Sequence, residues 1–153
     1  MEFENVLPSE IEKRSFEIIE SELPHDIEKT IKPIVKRFIH TTADFDYLDN
    51  LCFSENVVEI IKNAIKNGVD IVTDTQMARS GINKKRLASY GGEVHCFMSD
   101  EDVAKAAKEN GTTRAVASME KASKLEKNVI FAVGNAPTAL IELDKLIKNG
   151  QIN

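Results

Sequence analysis

The stretch Val129-Ile130-Phe131-Ala132-Val133-Gly134-Asn135-Ala136-Pro137-Thr138 shows how this chain is built. Five apolar residues in a row, with no polar alternation, read as a short strand buried on both faces. Gly134-Asn135-Ala136-Pro137 then turns directly into a helix over 138–148. Pro137 suits the first helical turn, where its missing N–H is not needed, and Gly150 follows the helix end. A strand feeding straight into a helix is the unit from which parallel sheets are made.

Two earlier segments share this character, Val69-Asp70-Ile71-Val72-Thr73 and Val94-His95-Cys96-Phe97-Met98. Helical stretches near 100–109 and 114–126 separate the second from the third, the first of them opened by Ser99 or Asp100 and closed by Gly111. Strands alternating with helices predict an α/β fold, three layers α/β/α around a largely parallel sheet.

The first half of the chain keeps helical period. Ser9-Glu10-Ile11-Glu12 is a capping box, so a helix is expected from there to about Glu22. Its apolar stripe is Ile11, Phe16, Ile18, Ile19 and Leu23, and Ser15 puts a hydroxyl inside that face. Such a serine either bonds back to a helix carbonyl or contacts a ligand. A second helical region opens near Asp26; Pro33 either interrupts it or begins a new turn, and Ile34, Val35, Phe38 and Ile39 carry the spacing up to His40. Ser54 caps a third helix with Val57, Val58, Ile60, Ile61, Ala64 and Ile65 on its apolar side, closed by Gly68.

At 153 residues, with no repeat, low-complexity tract or evident linker, the chain reads as a single domain over 1–153. No segment approaches the length of a membrane span and the N-terminus carries no basic, apolar leader, so the expected compartment is the cytoplasm, with no membrane partner. Cys52 and Cys96 sit in unrelated apolar settings without metal-ligand spacing and read as free thiols. A net charge of −5 argues against nucleic acid as a partner. Basic character is local, in Arg79, Lys84, Lys85 and Arg86, read as either a solvated loop or a docking edge for carboxylates.

Three histidines are candidates for proton transfer, the one task that histidine's ordinary pKa fits near neutral pH. His25 follows Pro24 in a turn, and His95 lies within a strand. His40 alone has polar company, in Arg37-Phe38-Ile39-His40-Thr41-Thr42-Ala43-Asp44, although a histidine there can also serve merely to satisfy a helix end. In parallel sheets ligands bind beyond the carboxyl ends of the strands. Those ends are 73–82, Ser99-Asp100 and 134–138, and none is a nucleotide loop. The helix start at 137–138 offers backbone N–H groups to a carboxylate.

Five blocks carry a resemblance: Ile11-Glu12-Lys13-Arg14-Ser15-Phe16; Arg37-Phe38-Ile39-His40; Thr73-Asp74-Thr75-Gln76-Met77 with Gly81-Ile82; Thr113-Arg114; and Val133-Gly134-Asn135-Ala136-Pro137-Thr138-Ala139-Leu140. Any one is unspecific, but in this order across 8–148 they resemble the precorrin-8X methylmutases, also called cobalt-precorrin-8 methylmutases, of cobalamin biosynthesis. The resemblance implies an isomerase that moves a methyl group from carbon eleven to carbon twelve of a (cobalt-)precorrin-8 macrocycle, giving a cobyrinate or hydrogenobyrinate. It implies no dissociable cofactor and no metal of the protein's own. It implies a homodimer holding a corrin-type tetrapyrrole near the subunit interface, with the family's catalytic histidine at His40 and a substrate-contacting serine at Ser15. Family members continue past the position of Asn153, so the resemblance also makes this chain a methylmutase-like domain truncated at its C-terminus.

A methyl shift on a conjugated macrocycle is helped by protonation of the ring system and by firm orientation. His40 is expected to supply and recover that proton. Arg14 and Arg114 are expected to grip carboxylate arms, since a guanidinium holds both oxygens. Thr75, Asn135 and Thr138 are candidates for neutral hydrogen bonds, although Thr75 and Asn135 can equally end strands or cap a helix. Asp74 either fixes its loop or touches the ligand, and Met77 either packs or touches it. Two other readings stay open: a flavodoxin-like binding module taking a small anion at 134–138, and a silent fragment that keeps tetrapyrrole affinity.

Overall fold

Pro8 takes the first turn of α1 (Pro8–Glu22) in the computed structural model, which describes residues 7–24 and 26–152. The chain divides into two compact units, Met1–Val58 and Glu59–Asn153. In the first, the expected capping box does not form: Leu7 is the N-cap residue and makes no side-chain cap bond. Proline's fixed φ starts the helix a residue early. Glu12 pairs instead with Arg37 of α2 (Lys32–Thr42). Pro33 lies in the first turn of α2, so it begins that helix rather than interrupting one. His25 lies outside the described residues.

Ile19, Leu23, Val35 and Ile39 form the buried core of this unit, with Phe16, Phe45, Leu48 and Phe53 packed against them. Each such side chain stabilises the unit by about 1.5–3 kcal/mol on leaving water. Ala43 takes a left-handed conformation, φ 54°, and closes α2, which puts His40 in the last helical turn. A short α3 (Tyr47–Asn50) follows.

The second unit contains most of α4 (Val57–Lys66) and then the sheet. Gly68 has φ +78°, and a Cβ there would stand 2.8 Å from the Tyr90 carbonyl oxygen. A Cβ at Gly92 would come within 2.2 Å of the Val69 carbonyl oxygen. Glycine at both positions lets 89–92 lie against the entry to β1 (Asp70–Thr73). The basic segment, read as either a solvated loop or a docking edge, is helical, α5 (Gln76–Gly81) and α6 (Lys84–Ala88), which corrects the loop alternative. Thr75 and Asn83 cap them by accepting the N–H groups of Ala78 and Arg86. Arg79 donates to the Val94 carbonyl and Arg86 to the Tyr90 hydroxyl, so two of the four clustered cations serve the fold.

β2 is only Val94–His95, shorter than the expected 94–98. The Thr73 hydroxyl donates to the His95 carbonyl and the Asp100 N–H to the Phe97 carbonyl, so the chain turns there and Phe97 packs sideways into the core. Then come α7 (Glu101–Glu109), α8 (Arg114–Ala122), β3 (Val129–Ala132) and α9 (Pro137–Lys148). α8 stops at Ala122 rather than 126 because 123–125 fold into a turn bonded to Met119, Lys121 and Ala122.

The strands pair in parallel in the order β2-β1-β3, with Ile71 opposite Val94 and Val72 opposite Phe131. The α/β reading with a parallel sheet therefore holds. Val72 and Phe131 face Met119, Ala139, Leu143 and Leu146 of α8 and α9, while α7 adds Val103 and Ala107 against Ala117. At the opening of β1 the buried Asp70 accepts the Glu93 N–H at 2.8 Å, Lys127 at 3.3 Å and His95 Nε2 at 3.2 Å. His95 is thereby a structural residue, tying β2 to β1. Among the described residues no helix is long and apolar enough to cross a membrane.

Candidate active site

His40 stands half-buried on α2 with its ring stacked on Phe16 of α1, centroids 4.8 Å apart and planes inclined by 26°. The Ser15 hydroxyl lies 2.8 Å from His40 Nδ1. Two successive residues of one helix thus fix a ring carried by the next, Phe16 its plane and Ser15 its rotation. When the imidazole is neutral and Ser15 donates to Nδ1, the proton belongs to Nε2, which has no hydrogen bond to a described residue. That nitrogen is left to a ligand. Ser15 and His40 line an open cleft of about 330 Å³ with Arg14, Ile11, Ile18 and Ile39. Ile11 and Ile18 are exposed, so the cleft offers apolar surface with a few polar groups, the usual composition of a small-molecule site.

Arg37 reaches the same aromatic ring, its guanidinium carbon 4.7 Å from the Phe16 centroid, and pairs with Glu12 at 2.6 Å. Both members of that pair are exposed, so it orients more than it stabilises. Asp44, expected close to the histidine, accepts the Asp46 N–H at 2.9 Å.

In the second unit the expected residues gather at the carboxyl end of the sheet. Asp74 is 1% exposed. Its carboxylate accepts the N–H groups of Gly134 at 3.2 Å, Asn135 at 2.8 Å and Ala136 at 2.8 Å. Burial pushes this carboxyl up, and the bonds from Ala136, Asn135 and Gly134 outweigh burial, holding it below the ordinary carboxylate value. Asp74 thus fixes the turn before α9, and the loop N–H groups expected to receive a ligand's carboxylate receive this one. Thr75 spends its hydroxyl as the α5 cap, and Met77 is 85% exposed with no part in the core.

The Thr113 hydroxyl caps α8 and donates to Thr138 Oγ1 at 3.2 Å, joining the starts of α8 and α9. Arg114 follows it, exposed and with no ion pair to a described residue. A guanidinium in the first helical turn is disfavoured by the helix dipole, so Arg114 adds nothing to α8 through its charge. Asn135 is exposed, with its backbone N–H held by Asp74. Ser15, Arg14 and His40 form one group and Asp74, Thr75, Met77, Arg114, Asn135 and Thr138 belong to the other unit. Among the described residues no three His, Cys, Asp or Glu side chains are placed to hold a metal ion.

Sequence reasoning took Phe16 only as an apolar stripe position. Its role as the platform under His40 depends on which helix α1 packs against, which periodicity does not report.

The Precorrin-8X methylmutase family model matches residues 10–153. The cobalt-precorrin-8 methylmutase of Priestia megaterium is 46% identical over 147 residues, covering 95% of this chain and 65% of that protein. The corresponding protein of Salmonella typhimurium is 45% identical over 148 residues, covering 89% and 68%. A crystal structure of precorrin-8X methyl mutase from Thermus thermophilus superposes with a TM-score of 0.82 at 39% identity, over 93% of this chain and 69% of that one. The chain spans about two thirds of the length of the curated relatives it matches.

Proposed function

Because this chain belongs to the precorrin-8X methylmutase family, we propose that it is an isomerase moving a methyl group from carbon eleven to carbon twelve of a (cobalt-)precorrin-8 macrocycle. The observation that carries the proposal is the Ser15–His40–Phe16 arrangement, a histidine oriented on two sides with one ring nitrogen open to a ligand. With both ring nitrogens protonated, His40 Nδ1–H donates to the Ser15 hydroxyl and Nε2–H protonates the macrocycle, leaving a neutral imidazole; the electron-poor macrocycle permits the methyl to migrate within the molecule, and Nε2 then recovers the proton. No proton is gained or lost overall. Ile11 and Ile18 receive the apolar face of the macrocycle, and Arg14 grips one of its carboxylates.

Within the second unit, Arg114, Asn135, Thr138, Thr75 and Met77 are proposed as ligand contacts, with Asp74 holding the 134–136 turn that carries Asn135. The family match runs across both units, which supports treating 1–153 as a single methylmutase-like domain. The assembly is a homodimer, supported by exposed Ile60 and Ile61 on α4 and Leu140, Ile141 and Ile147 on α9. The compartment is the cytoplasm, a setting that an exposed free thiol at Cys52 tolerates.

Incubation with precorrin-8, with and without cobalt, tests the activity through the absorption spectrum, with NMR locating the methyl at carbon twelve of the product. No conversion of either substrate overturns the proposal.

A further inference from the structure

We propose that the cationic cleft flanking Phe16 between α1 and α2 is an anion subsite, and that it takes a second carboxylate arm of the ligand that meets His40. The cleft measures about 370 Å³ and is lined by Phe16, Glu20, Lys29, Lys32, Lys36 and Arg37. Three lysines share the cleft with one carboxylate, Glu20, in a chain whose net charge is −5, and Arg37, already paired with Glu12, stands at its wall. This inference rests on the proposed function for the identity of the ligand, but the charge arrangement stands without it.

Lys32 and Lys36 are one helical turn apart and share a face of α2. Both donate to Glu20, Lys32 to Oε1 and Lys36 to Oε2, the latter at 2.7 Å. Their side chains keep only 24% and 19% exposure, against 46% for Glu20. Hydrogen bonds from Lys32 and then Lys36 pull the Glu20 carboxyl down to about 2, so it stays ionised and the charge count is fixed. One carboxylate therefore serves two partly desolvated ammonium groups that repel each other. Lys29 lines the same cleft and has no ion pair with a described residue, whereas Arg37 at the cleft wall is paired with Glu12. A second carboxylate would complete the pairing.

Phe16 relates this cleft to the histidine. Lys36 Nζ lies 5.5 Å from the Phe16 centroid and the His40 ring 4.8 Å from it. The imidazole and the lysine ammonium thus both border one aromatic ring. A broad ring system bearing short acid arms can present its body to the first and an arm to the second.

Titration of the protein with coloured cobyrinate, followed by absorbance, tests this. The Lys32→Gln/Lys36→Gln pair should weaken binding by about tenfold or more and flatten its dependence on salt. Glu20→Gln should tighten it severalfold, because the competing carboxylate is gone; this single variant decides the matter if the double one fails to fold. Affinity of the double variant within twofold of wild type, or weaker binding by Glu20→Gln, overturns the subsite. If the wild type binds no corrin, the proposed function fails, and the subsite is read separately with 1,2,3,4-butanetetracarboxylate by NMR of the lysine side chains. Absence of any shift at Lys32 and Lys36 then overturns it too. Preference of the cleft for a polyglutamate peptide over cobyrinate and the tetracarboxylate also overturns it, in favour of a protein partner.

Discussion

Ser15 Oγ and His40 Nδ1 are 2.8 Å apart, a hydrogen bond that spans 25 residues of sequence and joins α1 to α2. It gives a hydroxyl that periodicity places oddly, on an apolar face, a partner in the His40 ring, whose rotation it fixes. Phe16 beneath the ring removes the remaining freedom of its plane.

Ser15→Ala should therefore lower the rate of the chemical step about tenfold to a hundredfold while changing ligand affinity less than threefold, since a misdirected ring loses orientation rather than binding surface. Single-turnover conversion and equilibrium titration read the two separately. A drop in affinity with an unchanged rate would make Ser15 a ligand contact only.

Asp74→Asn should cost about 2 kcal/mol at neutral pH, because an amide cannot accept three N–H groups. The carboxyl is held below its ordinary value in the fold, so its stabilisation is present above the unfolded pKa, near 4, and is lost as pH falls through the folded value. Urea midpoints of the two proteins should converge on acidification below about pH 4. A difference that stays constant from neutral to acid pH contradicts the role given to this carboxylate.

Arg114→Lys should weaken binding of the corrin product about tenfold and leave the melting temperature in place, since lysine keeps the charge and loses the two-pronged grip. A lower melting temperature with unchanged affinity would assign Arg114 to the fold.

Light scattering at micromolar concentration should give twice the mass of 17.1 kDa. A clean monomer contradicts the homodimer.

The unbroken apolar run at 129–132 and the Ile71-Val72 pair between two turn-forming stretches announce their strands, although β3 is half-buried rather than covered on both faces. Pro137 and Gly150 bracket α9 for reasons that are local to the backbone. What sequence does not disclose is settled by partners distant in the chain. β2 ends at His95 because Thr73 takes its carbonyl, and α5 and α6 are too short to show a period. At the site, His40 is legible from its polar surroundings and Ser15 from its anomaly. Their hydrogen bond, the Phe16 platform and the closure of Asp74 on the 134–136 turn require knowing which elements meet.

The central claim is that His40 transfers the proton in a methyl migration. Its most direct test is His40→Ala, mixed with precorrin-8 and followed to product under single-turnover conditions, with corrin binding measured on the same sample. Turnover should fall by at least about a hundredfold with affinity retained within about tenfold. Conversion at near the wild-type rate would contradict the claim.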